Sequence, residues 1–183
     1  QRPLCIRDRP LGLDFDASGN LIIADAYKGL LSADKDGNLT TLTTEAEGLP
    51  FKFTDDVDVA SDGKIYFSDA SSGFDIHDYR LDLMVHRPLG WLLVYDPTTE
   101  ETTTLLSNLY FANGVAVSPD GEFVLVNETS EYRVTKYWLK GEKTGQSAMI
   151  MENLPGFTDG ISSNGKGIYW IALPAKRKDI IDN

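Results

Sequence analysis

Residues 11–26 read LGLDFDASGNLIIADA: a short apolar run, a turn centred on Gly19, then a second apolar run. The phrase returns as DDVDVASDGKIYFSDA at 55–70, NGVAVSPDGEFVLVNE at 113–128 and DGISSNGKGIYWIALP at 159–174. Its turn glycines, Gly19, Gly63, Gly121 and Gly165, stand 44, 58 and 44 residues apart. An interval of roughly 40–50 residues is that of one four-stranded propeller blade. The expected fold class is therefore all-β, a β-propeller of four-stranded antiparallel blades in a single domain.

Each unit continues alike after its first hairpin. Tyr27 to Ala33 and Asn38 to Thr43 read as third and fourth strands around an Asp36-Gly37 turn, and the stretches from Trp91 and Arg133 repeat the pattern. Alternating apolar and polar residues, rich in β-branched and aromatic types, support strands throughout, with no sustained helical period. The units fall at about 9–44, 53–107, 111–152 and 157–183. The long middle interval implies an insertion at 71–90, SSGFDIHDYRLDLMVHRPLG, a candidate lid. Three units and half of a fourth fall short of the four to eight blades that close a ring. Missing chain segments or an oligomer are expected to complete it, since unpaired edge strands invite pairing.

The composition fits a β-rich domain, with 42% apolar and 25% charged residues among 183 and no run long enough to form a transmembrane segment. A net charge of −11 argues against nucleic acid as a partner, because phosphate backbones are held by Lys and Arg. The basic cluster Lys176, Arg177, Lys178 reads as a solvated loop. A single cysteine, Cys5, cannot form an internal disulfide. The sequons at Asn38 and Asn127 matter only in a secretory compartment.

In an antiparallel meander, the connection entering the innermost strand lies on the same face as the connection between strands two and three. Residues opening the inner strands therefore converge near the axis, and the insertion sits over them. Counting back from the turn glycines, these positions are Leu11, Asp55, Asn113 and Asp159. Three of the four carry side-chain oxygens, which suit Ca²⁺ as hard ligands. The alternative is that Asn113-Gly114 and Asp159-Gly160 are turn formers. His77 and His86, the only histidines, lie in the insertion and are weak catalytic candidates, either as a general base over the axis or as exposed loop residues. Tyr66, Phe67, Tyr95, Tyr137, Trp138, Tyr169 and Trp170 read as packing between blades. No nucleophile elbow, Walker loop, zinc-protease or dinucleotide motif occurs, so nothing supports those chemistries.

The phrases RPLGLDFDASGNLIIADAYKGL, FTDDVDVASDGKIYFSDASS, LYFANGVAVSPDGEFVLVNET and YRVTKYWLKG resemble the strictosidine synthase-like family, six-bladed propellers related to the paraoxonases and gluconolactonases. The resemblance covers the middle of a family member. It implies calcium ligands at Asp55 (where calcium-dependent relatives have Asn), Asn113 and Asp159, with a further acid from a first blade outside this chain. It also places Leu11 where paraoxonase-like enzymes have a histidine, and the glutamate of plant strictosidine synthase beyond Asn183. Cys5 resembles a cysteine of plant members whose partner would lie upstream. The residues leave the location open, and the resemblance favours a secretory compartment.

Three functions are therefore carried forward. The first is a metal-dependent hydrolase of small esters or lactones, with a small-molecule substrate in the central channel. The second is a lyase condensing an amine with an aldehyde, and the third a non-catalytic interaction module in which Leu11 marks a degraded site.

Overall fold

The computed structural model describes residues 8–177; Cys5 and Lys178 lie outside them. Three four-stranded antiparallel meanders follow one another. The first holds β1 (Pro10–Phe15), β2 (Leu21–Asp25), β3 (Gly29–Ala33) and β4 (Leu39–Thr43), and a small hairpin of β5 (Glu45–Ala46) and β6 (Leu49–Pro50) follows it. The second holds β7 (Thr54–Val59), β8 (Ile65–Asp69), β9 (Gly90–Asp96) and β10 (Glu101–Leu109). The third holds β11 (Ala112–Val117), β12 (Phe123–Glu128), β13 (Arg133–Trp138) and β14 (Ser147–Met151). A fourth unit contributes the pairs β16 (Ile161–Ser163) with β17 (Tyr169–Ile171), and β15 (Gly156–Phe157) with β18 (Ala175–Lys176). The inner strands β1, β7, β11 and β16 contact one another in that order, as in successive propeller blades.

The sequence expectation of strands alone meets two exceptions among the described residues, a single 3-10 turn at Thr129–Glu131 and a helix in the insertion. Residues 79–85 form a short helix, α1 (Tyr79–Val85), inside the insertion. Two turns are too brief to set up a helical period, so the apolar spacing of Leu81, Leu83, Met84 and Val85 carried no recognisable signal.

Blades adhere through both faces of each sheet, because alternate side chains of a strand point to opposite sides. From β8, Ile65 and Phe67 pack with Ile22, Ala24 and Leu30 of the first blade, while Tyr66 packs with Val115, Val124 and Val126 of the third. Phe67, Leu92 and Leu93 are fully buried, each stabilising the fold by roughly 1.5–3 kcal/mol. Tyr66, Phe67 and Tyr95 thus sit where packing residues were expected, and Tyr137 and Tyr169 line the same seams more shallowly. Trp170 does not: it is 56% exposed on the two-stranded β16–β17 pair, where no further described strand covers it.

Carboxylates also staple the inner strands together. Asp14 accepts from the Val59 N–H at 2.8 Å, Asp56 from Val115 at 2.8 Å and Asp58 from Val117 at 2.6 Å. Burial pushes Asp56 up to about 6 and Asp58 up to about 7, the Val117 bond pulling Asp58 back and a hydrogen bond with the Asp14 carboxyl pushing it up again. A carboxyl with a native pKa above its unfolded value near 4 binds more protons when folded between those two values. Its contribution is complete below the unfolded value and lost as pH rises through 7. Denaturant melts should therefore give greater stability at pH 5 than at pH 8, by on the order of 1–3 kcal/mol. Asp58→Asn, which keeps an acceptor for Val117, should flatten that slope; an unchanged slope would refute this assignment.

The two sequons part company. Asn127 is fully buried, with Nδ2 donating to the Asp159 carbonyl, so burial closes it to a glycan. Asn38 sits on the exposed turn before β4.

Candidate functional site

Each complete inner strand opens with the same irregularity. Pairing shifts register between Pro10 and Leu13, between Thr54 and Val57, and between Ala112 and Val115. Leu11, Asp55 and Asn113 occupy those shifts, and such bulges re-aim side chains out of the ladder. All three, with Asp159 from the loop before β16, line one cavity of about 830 Å³. Asn113 and Gly114 belong to β11 and neither has a positive φ, so they form no tight turn. A Cβ on Gly114 would instead lie 2.5 Å from the Asp159 carbonyl oxygen and the Ile161 nitrogen. Glycine is required there because the next blade passes against the backbone.

Two residues before each axial position lies a second layer that the sequence reading missed: Arg9, Phe53, Phe111 and Phe157, all lining the cavity. In the three complete blades its backbone is pinned from the end of the second strand. The Arg9 N–H donates to Asp25 at 2.8 Å and the Ala26 N–H to the Arg9 carbonyl at 3.0 Å; Phe53 is held likewise by Asp69 at 2.9 Å and Ala70 at 2.7 Å. In the third blade Glu128 accepts from Tyr110 and the Thr129 N–H donates to Phe111. The repeat at constant offset was visible in the four aligned phrases, two residues upstream of where they were cut.

The axial floor is acidic, and among the described residues neither Asp55 nor Asp159 is ion-paired, although Arg9 and Arg80 line the same cavity. Asp55 is buried, and its carboxyl makes no hydrogen bond or ion pair among the described residues. Burial drives its pKa well above the carboxylate range, and the charges of Asp56, Asp159 and Asp69 add to this. Asp69, behind it on β8, is pushed up to about 7 by burial despite the bonds it accepts from Phe53 and Lys52. Among the described residues no three His, Cys, Asp or Glu side chains are placed to hold a metal by themselves. The convergent set is two carboxylates and the Asn113 amide.

The insertion forms part of the wall of this cavity. Ile76, Tyr79, Arg80, Leu83 and Met84 line it from above. The loop is tied internally by Ser71, whose hydroxyl donates to the buried Asp82 at 2.5 Å and accepts from the Gly73 and Phe74 N–H groups. Neither histidine lines the cavity. His77 Nε2 lies 2.8 Å from the Tyr27 hydroxyl of the first blade, and His86 Nε2 lies 2.8 Å from Glu131 of the third, its ring against Tyr110. The two histidines thus fasten the two sides of α1 to neighbouring blades. His77→Ala and His86→Ala should speed amide exchange across 79–86 several-fold while leaving global stability within about 1 kcal/mol. Unchanged exchange in the double variant would show that Ser71 and Asp82 hold the lid alone.

The strictosidine synthase family model matches residues 55–142. Protein STRICTOSIDINE SYNTHASE-LIKE 6 of Arabidopsis thaliana is 45% identical over 168 residues, covering 91% of this chain and 44% of that protein. The chain belongs to the strictosidine synthase-like family. It spans less than half the length of that curated relative. A gluconolactonase from Xanthomonas campestris superposes on 90% of this strictosidine synthase-like chain and 56% of its own, with TM-score 0.72 and 20% identity. Regucalcin, a calcium-binding protein of Agrobacterium tumefaciens, superposes on 90% of the chain and 53% of its own, with TM-score 0.67 and 18% identity. At such identities the likeness shows the propeller fold. No described helix of this family member is long and apolar enough to cross a membrane.

Proposed function

We propose that the intact protein is a metal-dependent hydrolase of small esters or lactones, working at the floor formed by Asp55, Asn113 and Asp159. The observation that carries this reading is the convergence of two carboxylates and an amide, from three blades, on an apolar cavity with no cationic partner beside Asp55. A buried carboxylate in that state is costly unless a cation meets it. Oxygen-only ligands of mixed charge suit Ca²⁺. The gluconolactonase and calcium-binding neighbours share the fold and lend support to the same chemistry.

A bound divalent cation would polarise a carbonyl and lower the pKa of its water. Asp55, Asn113 and Asp159 would hold it, Asp55 being ionised to do so. Phe53, Phe111 and Phe157 exclude bulk water and seat the apolar part of the substrate. A proton-transfer role for His77 or His86 would require the lid to move, since both Nε2 atoms are engaged on the rim. The experiment is hydrolysis of phenyl acetate and γ-lactones by the intact protein, before and after chelation. Turnover that disappears with EDTA and returns with calcium is expected; chelator-insensitive turnover would overturn the metal role. A second reading, the non-catalytic module, is favoured by Leu11, which leaves the fourth axial position without a polar group. Calcium binding without turnover would support it.

A further inference from the structure

Three blades place phenylalanine in the upper layer of the cavity, and the first places Arg9 there. The Arg9 backbone is pinned in the same manner as that of Phe53, by a carboxylate and an N–H from its own second strand. A guanidinium therefore replaces a ring by sequence choice rather than by a change of local fold. Among the described residues its side chain has no ion pair and no hydrogen bond. The acids beside it in its own blade are committed elsewhere: Asp8 pairs with Lys28 at 2.5 Å, and Asp25 accepts the N–H groups of Arg9, Tyr27 and Lys28. From the lid helix, Arg80 lines the same cavity. Its Nε donates to the Tyr79 hydroxyl at 3.2 Å and its guanidinium lies 5.6 Å over the Tyr79 ring, which leaves the terminal nitrogens without a carboxylate. Both side chains are exposed at the cavity, and among the described residues neither is paired with an acid, so both are open to a ligand there.

We propose that the cavity takes a ligand with an apolar body and a terminal carboxylate, the body against the phenylalanine layer and the carboxylate between Arg9 and Arg80. Guanidinium binds carboxylate through paired N–H donors, a geometry an ammonium or amide cannot copy. The inference rests on the proposed reading of this cavity as the substrate site. It narrows the substrate to an ester or lactone that carries a separate acid group. Because Arg80 belongs to the lid and Arg9 to the first blade, the same carboxylate draws the lid onto the rim.

The test compares 4-phenylbutyrate with its neutral amide, 4-phenylbutyramide, by calorimetry on the calcium-loaded intact protein. The carboxylate should bind about 10-fold more tightly at low salt, which corresponds to about 1.4 kcal/mol. Arg9→Gln and Arg80→Gln should each cut that preference several-fold and the double variant should remove it, with amide affinity unchanged. Equal binding of the two probes by the native protein would overturn the proposal. So would a preference that survives in the double variant, since that places the carboxylate on the axial site. Calorimetry reads binding without turnover, so failure of hydrolysis alone bears on the hydrolase reading, and loss of the carboxylate preference alone bears on the arginine pair.

Discussion

Asn113→Ala and Asp159→Ala in the intact protein are expected to weaken calcium binding by more than about 100-fold each and to remove calcium-dependent ester or lactone turnover. Each substitution deletes one of the three carboxylate or amide groups that different blades deliver to one cavity. Calorimetric titration of folded variants, checked by their melting curves, is the measurement. Calcium affinity and turnover that stay at native values in both variants would end the axial-site reading. A second signature belongs to Asp55. Burial, reinforced by Asp56, Asp159 and Asp69, holds its carboxyl toward the protonated form. Binding an ion requires that proton to leave, so calcium uptake should release protons and tighten as pH rises. Titrations in two buffers of different ionisation enthalpy read the proton directly.

Gly114→Ala is expected to be among the most damaging single-methyl additions, destabilising the fold by about 3 kcal/mol or more. The added Cβ meets backbone on three sides, the Asp159 oxygen and Ile161 nitrogen at 2.5 Å and the Gly160 carbonyl carbon at 2.7 Å, and backbone cannot rotate away as a side chain can. Relief requires the fourth unit to shift outward, carrying Asp159 from Asn113, so calcium affinity should fall with stability. Gly63→Ala makes the contrast. It faces open space, and its cost, about 1 kcal/mol, comes from φ of +87° alone. A Gly114→Ala variant no less stable than Gly63→Ala would mean that the inner strands are not in the close contact described.

The repeat phrase made the meanders legible because a hairpin's turn glycine and strand alternation are local facts. The convergence of Leu11, Asp55, Asn113 and Asp159 on one cavity followed from counting, since equivalent positions in a rotational repeat must share an axis. What the sequence could not disclose depends on distant partners. His77 finds Tyr27 fifty residues away and His86 finds Glu131 forty-five away, and no periodicity connects them. The role of Gly114 was masked by its neighbour, because Asn-Gly is a strong turn signal when nothing shows that a second backbone lies beside it. Arg9 was overlooked for a plainer reason: the aligned phrases began two residues too late to show that it stands in a column of phenylalanines.

One strand, TDDVDV of β7, carries both the axial acid and the staples that fasten the third blade. Raising the pH favours ionisation of Asp55, which the proposed cation would require, while the same change charges Asp56 and Asp58 inside the seam, at a cost in desolvation. The seam to the fourth unit is neutral, made by Asn127 to the Asp159 carbonyl and Thr129 to the Thr158 carbonyl. In the proposed site, ion capture would favour the charged form of Asp55 while blade cohesion favours the protonated forms of Asp56 and Asp58, so the two pull in opposite directions on residues of a single strand.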